Sequence, residues 1–303
     1  MDTKFSDQPD LESIQPERLI KYRVSDDGFA AEVLLPGFTY TDFDQKIGGK
    51  LNLWSLAKVF EAIRFTVLPK GFGHFPRLKD DGHSMFMASA LYKVTDKGNE
   101  VTSHSYWGLH TPFLANLKIF YAGTSAFSFN ILLSDYRSGE TLVKAEMSFV
   151  YVDFKTRKPC PFPDWYNQLK EGQELTKPSE RLVTPDIPHE AFKFDLQSAF
   201  SDIDHNGHVN QSVYVKWCTD AGTEAALKGH YSGFKGNIGT YPMNTFELKY
   251  VGEVLANEPV VISTWQDKDN HLVLHFVISK ESKVAVVAKF IFLSLEYQPK
   301  VKL

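Results

Sequence analysis

Ser201-Asp202-Ile203-Asp204-His205-Asn206-Gly207-His208-Val209-Asn210-Gln211-Ser212-Val213-Tyr214-Val215-Lys216-Trp217 runs from a dense polar cluster straight into an apolar periodic stretch. Two carboxylates, two imidazoles and two amides fall between Asp202 and Asn210. Asn210 stands where a helix reaching about Leu227 needs its cap. A loop that enters a helix sets its side chains beside the unpaired N–H groups of the first turn. Those donors and the helix dipole favour negative charge developing on a carbonyl oxygen. Gly207 lets a substrate carbonyl approach the backbone closely. Asp204 and His208 can serve as general base, nucleophile or proton shuttle, and Asn206 can orient a water or an acyl group. The plainer reading is a polar loop closed by a capping Asn, with Asp202 making structural hydrogen bonds and His205 an ordinary loop residue.

The same plan appears earlier in the chain. Asn52-Leu53-Trp54-Ser55-Leu56-Ala57-Lys58-Val59-Phe60-Glu61-Ala62-Ile63 has helical apolar spacing behind a candidate cap and ends before Pro69. Laid over the second half at an offset of 158 residues, Asp44 meets Asp202 and Gly49 meets Gly207. Leu51 then meets Val209, Asn52 meets Asn210 and Lys58 meets Lys216, while Lys46, Gly48 and Lys50 face Asp204, Asn206 and His208. Strands are expected after the first helix at 85–94, 117–122, 126–135 and 142–153. Strands at 191–196, 245–255, 260–265, 272–278 and 284–295 frame the second. A long helix with several long antiparallel strands, twice over, predicts an α+β chain built by duplication, each helix wrapped by a curled sheet. The expected division is a leader at 1–27, a first domain at 28–165, a linker at 166–190 with a short helix near 165–169, and a second domain at 191–303.

Composition bounds the function. With 303 residues, 43% hydrophobic and 23% charged, the chain can bury a core without staples and is not broadly disordered. A net charge of −4 argues against a general nucleic-acid binder. The 24 Phe suit a sheet-rich fold and an apolar ligand. Cys160 and Cys218 are too few for a disulfide framework or a cysteine-rich metal site. Acidic residues follow Met1 early and no apolar run approaches a bilayer span, so a cytoplasmic protein is expected.

The Ser201–Asn210 segment, with Tyr214 and Trp217, closely resembles the motif of plant and bacterial acyl-acyl-carrier-protein thioesterases. That motif reads Ser-Asp-Leu-Asp-x-Asn-x-His-Val-Asn-Asn, then a Tyr and a Trp. The wider 4-hydroxybenzoyl-CoA-type thioesterases share a looser Gly-His-Val-Asn. The resemblance extends to Gly49–Trp54, to Tyr151-Val152-Asp153 with Thr156-Arg157, and to Tyr250-Val251-Gly252-Glu253, which is similar to the family's Tyr-x-x-Glu strand. It implies two tandem hotdog domains and hydrolysis of fatty acyl thioesters. Asp204, Asn206, His208 and Glu253 fall on the family's catalytic Asp, Asn, His and Glu. Where the family carries a Cys after that Glu, this chain has Val254. Gly73-His74-Phe75-Pro76 looks like a hotdog dehydratase motif, but it follows the first helix rather than preceding it and is read as a loop with an aromatic anchor.

The expected protein is therefore a hydrolase of fatty acyl thioesters carried by acyl carrier protein or coenzyme A, acting as monomer or homodimer, with no metal or organic cofactor. Asp204 or Glu253 would activate water or attack the thioester, and a backbone N–H near Gly207–Val209 would hold the oxyanion. Gly207, Val209, Asn210, Trp54 and Leu56 are the candidate substrate contacts, and the first half would supply pocket rather than chemistry. A non-hydrolytic acyl-thioester-binding protein and a hotdog dehydratase are the alternatives on the same scaffold.

Overall fold

The computed structural model describes residues 11, 13–14, 17–43, 50–79, 82–103, 112–180 and 182–296. In chain order the strands and helices are β1 (Lys21–Val24), β2 (Ala30–Leu35), α1 (Leu53–Val67), α2 (Phe75–Lys79), β3 (His83–Val94), α3 (Asp96–Ser103), β4 (Phe113–Ala122), β5 (Ala126–Asp135) and β6 (Thr141–Asp153). They continue with α4 (Asp164–Lys170), β7 (Phe192–Gln197), α5 (Gln211–Leu227), β8 (Met243–Tyr250), β9 (Pro259–Gln266), β10 (Val273–Lys280) and β11 (Lys283–Phe292). The chain divides into two compact units, with the later boundary after Glu180.

In the first unit the strand order is β1-β2-β4-β5-β6-β3, with antiparallel ladders from β1 to β6. Its core is aromatic. Phe127, Phe129 and Phe149 stack with centroids 5.4–6.0 Å apart, and Phe72 meets Phe129 edge-on. Each such ring contributes roughly 1.5–3 kcal/mol by leaving water.

The second unit orders its strands β8-β11-β10-β9-β7, all antiparallel. Helix α5 packs on β7, β9 and the 3-10 turn Ile238–Thr240. Its buried residues, among them Gln211, Val215, Cys218, Gly222 and Ala226, take up most of its circumference, while Lys216, Asp220 and Leu227 lie exposed on the remaining side. Small residues permit the close fit: a Cβ on Gly222 would lie 2.5 Å from Ile238 Cδ1 and 3.3 Å from the Phe276 ring.

Described residues of 39–59 and 91–103 group with the second half of the chain, so the units do not coincide with the sequence halves. Contacts of these two stretches with each other and with the second half are the reason. Leu51 N–H donates to Thr102 O, the Asn99 amide exchanges hydrogen bonds with the Met243 backbone, and Tyr92 stacks on Phe246 at 4.3 Å.

Three local expectations change. The leader is not loose throughout, because Lys21–Val24 pairs in register with Ala31–Leu34 and the facing Arg23 and Glu32 form an ion pair. A partner strand supplied the order that residues 21–24 show no periodicity for. Gly73–Pro76 does anchor aromatics, His74 meeting Phe29, Trp165 and Tyr166, but Phe75 and Pro76 open α2. Proline is tolerated in a first turn because its missing N–H has no partner there. The strand expected over 245–255 stops at Tyr250. Val251 N–H and Gly252 N–H both turn to Ala285 O, which ends the ladder and puts Glu253 on a loop.

Candidate active site

The segment Ser201–Asn210 is knotted by its own backbone. Ala199 N–H donates to the Asp202 carboxylate at 2.8 Å, and Asn210 N–H donates to Asp202 O at 2.8 Å. Asp202 is thus the structural hydrogen bonder that its setting suggested. Ile203 and Val209 bridge the two sides of the loop, and Asp204 N–H donates to His208 O. Gly207 turns the chain at φ +83°, a conformation that a side chain resists. Asn210 caps α5, its Oδ1 accepting from Ser212 N–H at 2.9 Å and from the Ser212 hydroxyl.

This knot presents Asp204 and His208 half-buried on one side. His208 Nδ1 lies 3.8 Å from Asp204 Oδ1, and His208 Nε2 lies 4.0 Å from Glu253 Oε1. An imidazole thus stands between two carboxylates, at separations longer than a hydrogen bond. Asp204 is the more constrained acid, since its Oδ1 accepts Asn206 N–H at 2.8 Å. Glu253 is the more open one, with its side chain 33% exposed against 14% for Asp204. Asn206 is exposed, its amide 3.5 Å from Asp204 Oδ2.

Part of the expected substrate-binding set is occupied elsewhere. Within the Gly207–Val209 stretch, Gly207 N–H donates to Asp204 O and Val209 N–H to Val254 O, so these two donors are engaged by main-chain acceptors. Asn210 is spent on its cap. Leu56 is buried and lines a small apolar cavity with Lys50, Leu51, Leu53, Val94, Asn99, Thr102, Tyr241 and Met243, whereas Trp54 is half-buried. Tyr214, part of the sequence motif, has a place in the site's electrostatics. Burial raises its phenol pKa, and the charges of Glu253 and Asp204 add to the rise.

The loop before α1 repeats the knot and corrects its alignment. Thr39 N–H donates to the Asp42 carboxylate, Asn52 N–H donates to Asp42 O, and Phe43 bridges Leu51. These bonds match those of Ala199, Asp202, Asn210, Ile203 and Val209. The counterpart of Asp202 is thus Asp42, not Asp44, and the first loop is two residues longer. Counted from that end Asp44 answers to Asp204, while Lys50 keeps the place of His208. Asp44, Lys46, Gly48 and Gly49 lie outside the described residues.

Both cysteines are free, and Cys218 is fully buried inside α5 with its thiol pKa pushed up by burial and by Asp220. Val254, at the position of the family's Cys, is also fully buried. Cys218→Ser is accordingly expected to leave any thioester turnover within about twofold of the unaltered protein, because a buried thiol is neither ionised nor reachable. Loss of hydrolysis in a folded Cys218→Ser variant would contradict that.

Among the described residues no group of three or more His, Cys, Asp or Glu could hold a metal ion, and no helix is long and apolar enough to cross a membrane.

The fold is of the hotdog type with an imidazole set between two carboxylates, and comparison with known proteins shows what the chain is similar to. Residues 187–292 match the family model described as the acyl-ACP thioesterase C-terminal domain. The chain is 23% identical over 173 residues to the chloroplastic acyl-[acyl-carrier-protein] hydrolase FATB3 of Cuphea viscosissima, a match covering 55% of this chain and 40% of that protein. The chain thus spans less than half the length of this relative. Among solved structures, an acyl-ACP thioesterase from Bacteroides thetaiotaomicron superposes with TM-score 0.65 at 18% identity, covering 87% of this chain and 97% of the other. The 12:0-ACP thioesterase of Umbellularia californica gives TM-score 0.65 at 14% identity, covering 87% and 96%. The chain has the double hotdog fold of these proteins, and the resemblance read from Ser201–Trp217 is borne out.

Proposed function

We propose that the protein hydrolyses fatty acyl thioesters to free fatty acids, with acyl carrier protein as the carrier, in fatty acid biosynthesis. The observation that supports this best is the convergence of Asp204, His208 and Glu253 around one imidazole. The match of residues 187–292 to the thioesterase domain supports it independently. In this reading Asp204, held by Asn206 N–H, orients the imidazole from its Nδ1 side. Glu253, the more open acid, draws the proton from an attacking water and passes it through His208 to the departing thiolate. The products are a carboxylic acid and a free thiol, so water is the only co-reactant. Asn206, exposed beside Asp204, orients the acyl group or the water.

The two hotdog domains are assigned to 28–165 and 191–303, with 166–190 joining them. Residues about Trp54 and Leu56 contribute the apolar wall for the acyl chain. A panel of acyl-CoA and acyl-carrier-protein thioesters, assayed for released thiol, tests the reading. Hydrolysis of long or medium acyl chains, faster on the protein carrier, is the expected result. Stoichiometric binding of every thioester without thiol release would favour the non-hydrolytic alternative.

A further inference from the structure

Glu253 sits on a loop, so something must fix that loop to within a fraction of an ångström of His208. The bonds that do so come largely from outside the sequence motif. Ahead of Glu253, Val251 and Gly252 N–H are pinned to Ala285 O. Just after it, Val254 O accepts Val209 N–H at 2.8 Å, a direct tie to the loop that carries His208. Beyond Val254 the chain makes a tight turn through Leu255–Glu258, with Asn257 at φ +61°.

That turn is built around one buried hydroxyl and one carboxylate. Ser198, 1% exposed, donates its Oγ–H to Leu255 O at 2.5 Å and accepts Glu258 N–H at 2.9 Å. Its backbone adds two more bonds, N–H to Glu258 O at 3.0 Å and C=O from Asn257 N–H at 2.9 Å. The Glu258 carboxylate reaches back to accept Leu255 N–H at 2.7 Å, and Lys280 Nζ on β10 holds both its oxygens at 2.8 Å. Leu255 thus has both its backbone groups fixed, two residues beyond Glu253. Such closure exceeds what an ordinary surface turn requires, where water would satisfy these groups.

We infer that Ser198 and Glu258, the latter anchored by Lys280, are positioning residues for catalysis: they hold the Glu253 loop in register with His208. This rests on the reading of Glu253 as an acid–base group in thioester hydrolysis. Neither residue touches the reacting atoms, so their effect falls on kcat through the His208–Glu253 geometry rather than on substrate affinity. A misplacement of about 1 Å at such a pair is enough to cost on the order of 10²-fold.

The test compares Ser198→Ala, Glu258→Ala, Glu258→Gln and Glu253→Gln in the full chain, with kcat and KM on the best thioester and folded fraction by near-ultraviolet circular dichroism. Ser198→Ala and Glu258→Ala are expected to lower kcat about tenfold or more per folded molecule, with KM within about twofold. Glu258→Gln is expected to recover most of that loss, since its amide oxygen still accepts Leu255 N–H. If Glu253→Gln abolishes turnover while Ser198→Ala and Glu258→Ala keep wild-type kcat per folded molecule, the positioning role is overturned and the function stands. Equal impairment by Glu258→Gln and Glu258→Ala would overturn the hydrogen-bonding account as well. If Glu253→Gln itself retains wild-type turnover, the failure lies in the reading of Glu253.

Discussion

Changing Asp204 to Asn, or His208 to Ala, is expected to lower kcat for thioester hydrolysis by roughly 10²–10⁴-fold while the protein remains folded. His208 has both acids in reach, at 3.8 Å and 4.0 Å, so its loss disconnects Glu253 from Asp204 and removes the proton path to the leaving thiolate. Asp204→Asn is subtler. The amide oxygen can still accept Asn206 N–H and keep the loop turned, but the negative charge beside the imidazole is gone. The two variants therefore separate shape from charge. Neither should move the thermal midpoint by more than a few degrees, because both side chains are half-buried on a loop whose knot is made by Asp202, Ile203, Val209 and Asn210. Steady-state thiol release from both variants, at matched folded concentration, is the measurement. Near wild-type turnover in both would remove Asp204 and His208 from the chemistry.

The sequence was most legible where side-chain chemistry is locally redundant. Asn210 announces a cap and is one, and the apolar spacing that follows it gives α5 nearly to the residue. Strands β3 to β6 and β8 to β11 were visible because each is long and apolar, with turn residues between. Strand β1 was not visible, since four polar-to-mixed residues become a strand only when β2 offers a ladder. The end of β8 was missed for a related reason. Nothing in Tyr250-Val251-Gly252-Glu253 tells a reader that one carbonyl of Ala285 will take two N–H groups and turn the chain. In the site, Asp204, His208 and Glu253 were found from a motif and a resemblance, and they do converge. Ser198 carries no signal in sequence because its hydroxyl serves backbone groups 57 and 60 residues away, and Glu258 carries none because its carboxylate serves a nearby backbone N–H and Lys280. The acceptors that claim the N–H groups of Gly207 and Val209, Asp204 O and Val254 O, are likewise main-chain atoms and leave no mark in the sequence.

Lys50, which stands at the place of His208 in the earlier loop, is expected to make the protein more stable as pH rises from 7 to about 10. Its Nζ donates to Thr240 O at 2.8 Å and Tyr241 O at 2.7 Å beside an apolar cavity, and burial lowers its pKa from 10.5 to about 7. A neutral amine has two N–H bonds, enough for both carbonyls, so the folded state can release the extra proton without losing either bond. In the unfolded chain the same amine keeps its proton up to about 10.5. Between those values the unfolded state binds more protons, and stability must climb with pH. A shift of this size sets a ceiling of about 5 kcal/mol. The two carbonyls also favour the ammonium and bring the expected rise to a few kcal/mol. Lys50→Met removes the titration and the two hydrogen bonds together. Its stability should lack this rise, lying above wild type on the acid side and below it on the alkaline side, so that the two curves cross. Urea midpoints measured from pH 6 to pH 10 would show the crossing, and parallel curves would refute the buried neutral amine. Turnover gives the second readout. A lysine consumed by two main-chain acceptors has no role in hydrolysis, and Lys50→Met should keep kcat within about threefold of wild type near neutral pH. A collapse in kcat to the level of His208→Ala would mean instead that the earlier loop, with Asp44 answering to Asp204, carries chemistry of its own.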